Sequence, residues 1–183
     1  MHTKEELYSN KIFFNAALPL VKVIANDVPS LKKQFAHVHA IIQVSAKDPD
    51  APGGKVGMHF VVNSDEWLVH LNKVDPNPHV ELEFKSVEAM NAFFKGKMSP
   101  ATLPKMKGVV THFGAFKAFL MTLLKMSSLL GATEAPKDEA TKELMVKCFF
   151  YLLSSGISQL NKMGHEDIHD WTSKSPDRVM HGR

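Results

Sequence analysis

Cysteine is almost missing from this chain. Cys148 stands alone among 183 residues, which excludes an intrachain disulfide, and its apolar helical neighbours favour a buried, inert thiol suited to a reducing compartment. An excess of one charge is missing as well. The 22 Lys and Arg stand against 19 Asp and Glu, and the lysines are scattered among acids rather than gathered in a run, which speaks against a nucleic-acid partner and leaves at most a weak preference for anionic membrane surfaces. No apolar run reaches the roughly 20 residues that span a bilayer. The longest, VKCFFYLLSSGISQL, is broken by Lys147, two serines and Gly156 and reads as a packed helix. Signatures of chemistry are absent too: there is no GxSxG, no glycine-rich phosphate loop and no CxxC. The opening MHTKEELYSNK is too polar for a secretory leader and the closing HGR is no peroxisomal address, so the expected location is the cytoplasm.

What the chain does hold is a set of short alternating segments and long apolar ones. Val38, Ala40, Ile42 and Val44 alternate with His39, Ile41, Gln43 and Ser45, and DPDAPGGK then supplies the Pro and Gly residues that reverse a chain. A second strand puts Val56, Met58, Phe60 and Val62 on one face, and NSDE turns into a third at Trp67, Val69 and Leu71. HVELEFKS continues the meander. Its Val80, Leu82 and Phe84 predict a buried side, and its Glu81, Glu83 and Lys85 a wet one. Ser86 is placed to cap a helix, with Glu88 in the first turn where the dipole favours it and Met90, Phe93 and Phe94 at helical spacing. At 44% hydrophobic and 22% charged residues, the whole chain is expected to be one domain, 1–183, with a real core.

The strings DPDAPGGK, HFVVNSDEWLVHL, VELEFKSVEAMNAFFKGKMSP and KMKGVVTHFGAFKAFLMTLLKM together resemble the sterol carrier protein type two family over roughly residues 35–130, and GKMSP is the most specific of them. The resemblance implies an α+β fold, in which an antiparallel-rich five-stranded sheet, a meander plus a later strand, is covered by helices and encloses a hydrophobic tunnel. It further implies non-enzymatic binding, and transfer, of a fatty acid, fatty acyl-CoA, sterol or phospholipid. By its place in GKMSP, Met98 would point into the tunnel, followed around the turn by Leu103 and Met106, with Phe116, Phe119, Leu120 and Leu123 forming its wall. The final strand and its turn, read in KGVVTHFGAF, are less regular than the family pattern, and about fifty further residues exceed what its minimal domain needs. Without the resemblance, the apolar stripe of Phe113 to Leu130 reads as a plain core helix with a polar side at Lys117 and Lys125. The ten methionines suit an adaptable surface.

Outside the strands, IFFNAALPLVKVIAN and VPSLKKQFAH predict N-terminal helices within 5–34, with Pro19 kinking or dividing the first. The polar stretch ATEAPKDEA reads as a linker into one long helix over 141–163, followed by a loosely held tail, 164–183, with an isolated Trp171. That helix is an additional C-terminal element. Leu144, Cys148, Tyr151, Leu152 and Ser155 share one face and Met145, Phe149, Leu153 and Ile157 a neighbouring one, a surface too wide for a one-sided helix. An alternative function follows from it: an accessory or oligomerisation module without its own ligand, with a homodimer built on this helix. His165 and His169, spaced i, i+4, could offer two imidazoles to a metal, but Gly164 precedes them and no third ligand is placed by sequence, so no metal and no other cofactor are expected. His37 and His39 share a strand face, which an exposed surface explains equally well.

Overall fold

Pro19 divides the first apolar stretch rather than bending it. A π-helical turn at Phe13–Ala17 ends before it, and helix α1 (Leu20–Asp27) starts directly after it, since proline carries no N–H to donate inside a helix. A second proline sits at the first position of α2 (Pro29–Phe35), where the missing donor costs nothing. These elements come from a computed structural model that describes residues 13–94, 97–130, 132, 134 and 136–174, the side chains at 130, 156 and 158–174 excepted. Five strands follow the first helices: β1 (His39–Lys47), β2 (Lys55–Asn63), β3 (Glu66–His70), β4 (Val80–Phe84) and β5 (Lys105–Lys107). Helix α3 (Val87–Phe94) separates β4 from β5, and α4 (Phe113–Leu130) and α5 (Glu139–Lys174) complete the order.

The expected α+β fold with a five-stranded sheet is the fold observed, but its order is β3-β2-β1-β4-β5. The hairpin of β1 and β2 turns at Gly53 and Gly54, whose φ of 79° and 72° suit glycine, and the Asp48 N–H closes the turn on the Gly54 carbonyl. The meander ends at β3. Strand β4 does not pair with β3; it lies parallel to β1, with Val44 opposite Leu82, while β5 pairs antiparallel with β4. A parallel neighbour requires the chain to cross over the sheet, and the connection 71–79 makes that crossing. The last strand also lies earlier than KGVVTHFGAF suggested, at Lys105–Lys107, because Gly108 adopts φ 73° and bends the chain away.

Register sorts the side chains into two faces. Val80, Ile42, Phe60 and Val69 form one cross-strand row, and Met106, Leu82, Val44 and Met58 the next, on the side that meets the helices. Helix α4 lies on this face with Ala115, Ala118, Phe119, Leu123 and Met126 buried, and its Phe119 ring is 6.0 Å from Phe60. Helix α3 begins where its capping serine predicted, the Ala89 N–H donating to Ser86 Oγ at 3.1 Å. Helix α5 runs for 36 residues, so 164–174 continue the helix instead of starting a tail. Asp138 caps it, accepting the Thr141 N–H at 2.8 Å. Leu144 and Cys148 of α5 are buried with Met145, Tyr151 and Leu152 half-buried beside them, and the helix packs on α1 and the π-helical turn.

Candidate functional site

On the helix-facing side, the apolar cover thins out at the β4–β5 end. Met106 shares a row with buried Leu82, Val44 and Met58, yet it is 50% exposed, because β5 is a short strand at the edge of the sheet with no neighbour beyond it among the described residues. One step along β4 on the same face, buried Phe84 meets Phe93 at 5.4 Å and Phe94 at 5.7 Å, and Phe94 meets Phe13 at 4.4 Å. Phe13, Phe93 and Phe94 are only half-buried. These rings form an aromatic rim where α3 and the π-helical turn meet the sheet. The doublets Phe13-Phe14 and Phe93-Phe94 were the sequence signal for this rim, which the family pattern did not single out.

The seven residues assigned to the tunnel do not share one environment. Phe119 and Leu123 face the sheet and are buried, Phe116 is half-buried, and Leu120 is 39% exposed on the outer flank of α4. Met98 and Leu103 stand in solvent on the connection before β5, where Thr102 Oγ1 accepts the Ser99 N–H and donates to the Lys97 carbonyl. Among the described residues, clefts open elsewhere. One of about 530 Å³ lies among Pro52, Lys55, Val56, Lys73, Val74 and Pro76; one of about 680 Å³ lies beside the β2–β3 turn, where Lys22 donates to the Trp67 carbonyl at 2.9 Å. A third, of about 200 Å³, lies among His37, His39, His112 and Phe113. None of the seven residues lines these three clefts.

The opposite face of the sheet corrects the expectation of a wet side. Lys107, Glu81, Gln43, His59 and His70 form a cross-strand row there, and Glu81, Glu83, Gln43, Ser45 and His59 are all buried. The 71–79 crossing covers them. Gln43 Oε1 accepts the Asp75 N–H at 2.6 Å, His59 Nδ1 lies 2.8 Å from the Lys73 carbonyl, and His79 Nδ1 accepts the Ile41 N–H at 2.9 Å. Beneath this loop Glu81 Oε1 accepts Ser45 Oγ at 2.6 Å and Gln43 Nε2 at 2.9 Å, and Lys107 bonds both carboxylates, at 3.0 and 2.7 Å. Lys55 bonds both as well. Burial pushes the Glu81 carboxyl up, but hydrogen bonds from Ser45, Gln43 and Lys107 and the Lys55 charge outweigh it and hold the group down at about 2. Bonds from Lys107 and Lys55 depress Glu83 likewise, and Glu83 and Glu81 raise Lys107. Two carboxylates thus meet two ammonium groups with their hydrogen-bonding capacity occupied, an arrangement that secures a crossing rather than one poised to take up a proton.

Cys148 is buried, and burial raises its thiol further from the thiolate form that reacts. Among the described residues no group of three or more His, Cys, Asp or Glu is placed to hold a metal, and the side chains of His165, His169 and Trp171 lie outside the description. His39 Nδ1 lies 2.6 Å from Asn63 Oδ1 across the β1–β2 pair. No described helix is long and apolar enough to cross a membrane.

No protein-family model and no curated protein matches the chain. Among solved structures it is similar to a sterol carrier protein 2, with 11% identity over 72% of this chain and 97% of that one at a TM-score of 0.43. It is also similar to the apo form of sterol carrier protein 2 from Yarrowia lipolytica, with 18% identity over 56% of this chain and 88% of that one at 0.36. The likeness is low in sequence and in shape.

Proposed function

We propose that this chain binds and transfers an apolar lipid, a fatty acid, fatty acyl-CoA, sterol or phospholipid, between the helix-facing side of its sheet and helices α3 and α4, without performing a reaction on it. The observation that carries this reading is the open end of an otherwise closed apolar face: half-exposed Met106 in a buried row, next to the half-buried rim of Phe13, Phe93 and Phe94. The sequence resemblance at GKMSP adds Met98 and Leu103 at the approach and Phe116, Phe119 and Leu123 along α4 as the lipid-contacting set, with Leu120 of the same expectation lying on the outer flank of the helix instead. The energetics suffice. Burying about fifteen methylenes at about 0.8 kcal/mol each amounts to about 12 kcal/mol, and association takes back about 4 kcal/mol or more, leaving at most about 8 kcal/mol, or micromolar binding. Discrimination between chains is weak, since one methylene changes affinity by only about fourfold.

Native mass spectrometry of protein purified from cells, with displacement of a fluorescent fatty acid, tests the reading. Bound lipid at one per chain and displacement by at least one of the four lipid classes are expected; apoprotein alone with no displacement by any of them refutes it. Phe119→Trp sharpens the placement: bulk at this position lowers lipid affinity if Phe119 contacts the ligand. Unchanged affinity with a strongly lowered Tm assigns Phe119 to plain core.

A second reading, self-association through α5, draws on Val146, Phe149, Phe150, Leu153 and Ile157, large apolar side chains that α5 leaves exposed along its free side. Sedimentation equilibrium separates the two, since a monomer at high concentration rules this one out.

A further inference from the structure

From Ala89 to Thr133 the chain contains no Asp or Glu, although it carries lysines at 95, 97, 105, 107, 117 and 125. Helix α4 lies within this stretch. Its inner side is spent on the core, and its outer side carries Phe113, Lys117, Met121 and Leu124, which follow one another at i, i+4, i+8 and i+11 and are all exposed. Val110, 95% exposed, precedes them. Lys117 has no ion-pair partner among the described residues, whereas Lys107 is engaged by Glu81 and Glu83, and Lys125, half-exposed, has Asp138 near it.

An exposed row of Val, Phe, Met and Leu around the unpaired Lys117, with Lys125 beside it and no carboxylate on the same helix, has one natural complement. We propose that the outer face of α4 docks on an anionic lipid bilayer, with Phe113, Met121 and Leu124 entering the headgroup region and Lys117 and Lys125 facing acidic lipids. Charge distinguishes this face from the free side of α5, whose first turns carry Glu139 and Glu143 among their lysines. A surface of one sign repels its own copy and is drawn to a negatively charged one. The inference goes beyond lipid binding inside the protein: docking on a bilayer requires no internal ligand, and an internal ligand requires no docking.

Co-sedimentation with phosphatidylcholine vesicles, alone and in a two-to-one mixture with phosphatidylserine, tests it on the full chain. Binding is expected to the mixed vesicles, to fall as salt is raised and to be weak on phosphatidylcholine alone. Lys117→Glu exchanges an attractive charge for a repulsive one and lowers partitioning roughly ten- to thirtyfold. Leu124→Ser lowers it several-fold, and neither change alters the Tm or the displacement of fluorescent fatty acid by lipid. The salt titration of the unaltered protein reads the same interaction should a variant fold poorly. No binding to mixed vesicles, salt-independent binding to both kinds, or a dimer that Lys117→Glu dissociates would each overturn the proposal.

Discussion

Along β1 the side chains of Ala40, Ile42, Val44 and Ala46 and those of Gln43 and Ser45 are equally shut away from water, on opposite faces of one strand. The first set is covered by helices through contacts that have no preferred direction. The second is covered by a nine-residue span of crossing chain, and it is held by named donors and acceptors: Glu81 to Ser45, Gln43 and two lysines, Gln43 to Asp75, His59 to Lys73. An apolar face can exchange a side-chain neighbour for a lipid methylene with little loss. A satisfied polar face cannot, because any ligand must replace each bond it breaks. The comparison therefore assigns ligand binding to the helix side and a fastening role to the crossing side.

The largest effect is expected on the helix side. Phe60 is fully buried against Trp67 and Phe119, and Phe60→Ala lowers unfolding free energy by about 3 to 5 kcal/mol in denaturant melts. On the crossing side, Glu81→Gln is expected to cost about 3 kcal/mol at neutral pH, since Lys55 and Lys107 lose one of their two carboxylates. The same contact sets an acid limb. Glu81 moves from its ordinary value of 4.5 to about 2 on folding, so its contribution of about 3 kcal/mol is complete above pH 4.5 and is lost as pH falls toward 2. Melts of the two proteins across that window should converge at its acid end; a constant gap would break the comparison. Smallest is Gln43→Met, about 2 kcal/mol, through the Asp75 N–H that loses its acceptor and the Glu81 carboxylate that loses one donor, with faster hydrogen exchange at the Asp75 amide as the readout.

Strand positions and the α3 cap were legible because alternation and a hydroxyl three residues before Ala89 are local signals. The β4 neighbour was not, since pairing with β1 is decided by a crossing that leaves no mark in the alternation of VELEF. The same absence hid the buried polar row. Glu81 and Glu83 look like solvent residues until Lys55, Lys107 and the 71–79 span are brought over them. Within the candidate site, the sequence reading put Phe116, Phe119, Leu120 and Leu123 on one apolar surface, of which Phe119 and Leu123 are buried, and it named Met106 after GKMSP, whose half-exposed place in a buried row depends on its register with Leu82. The aromatic rim required two distant Phe-Phe doublets to meet, which no single segment records.

Methyl NMR during titration with a long-chain fatty acid tests the assignment of the two faces most directly. Shifts at the methyls of Met106 and Leu123 that saturate with ligand, with Ile41 and Val74 on the crossing side unmoved, are the predicted result. Shifts confined to Ile41 and Val74, or none at any of the four, would contradict it.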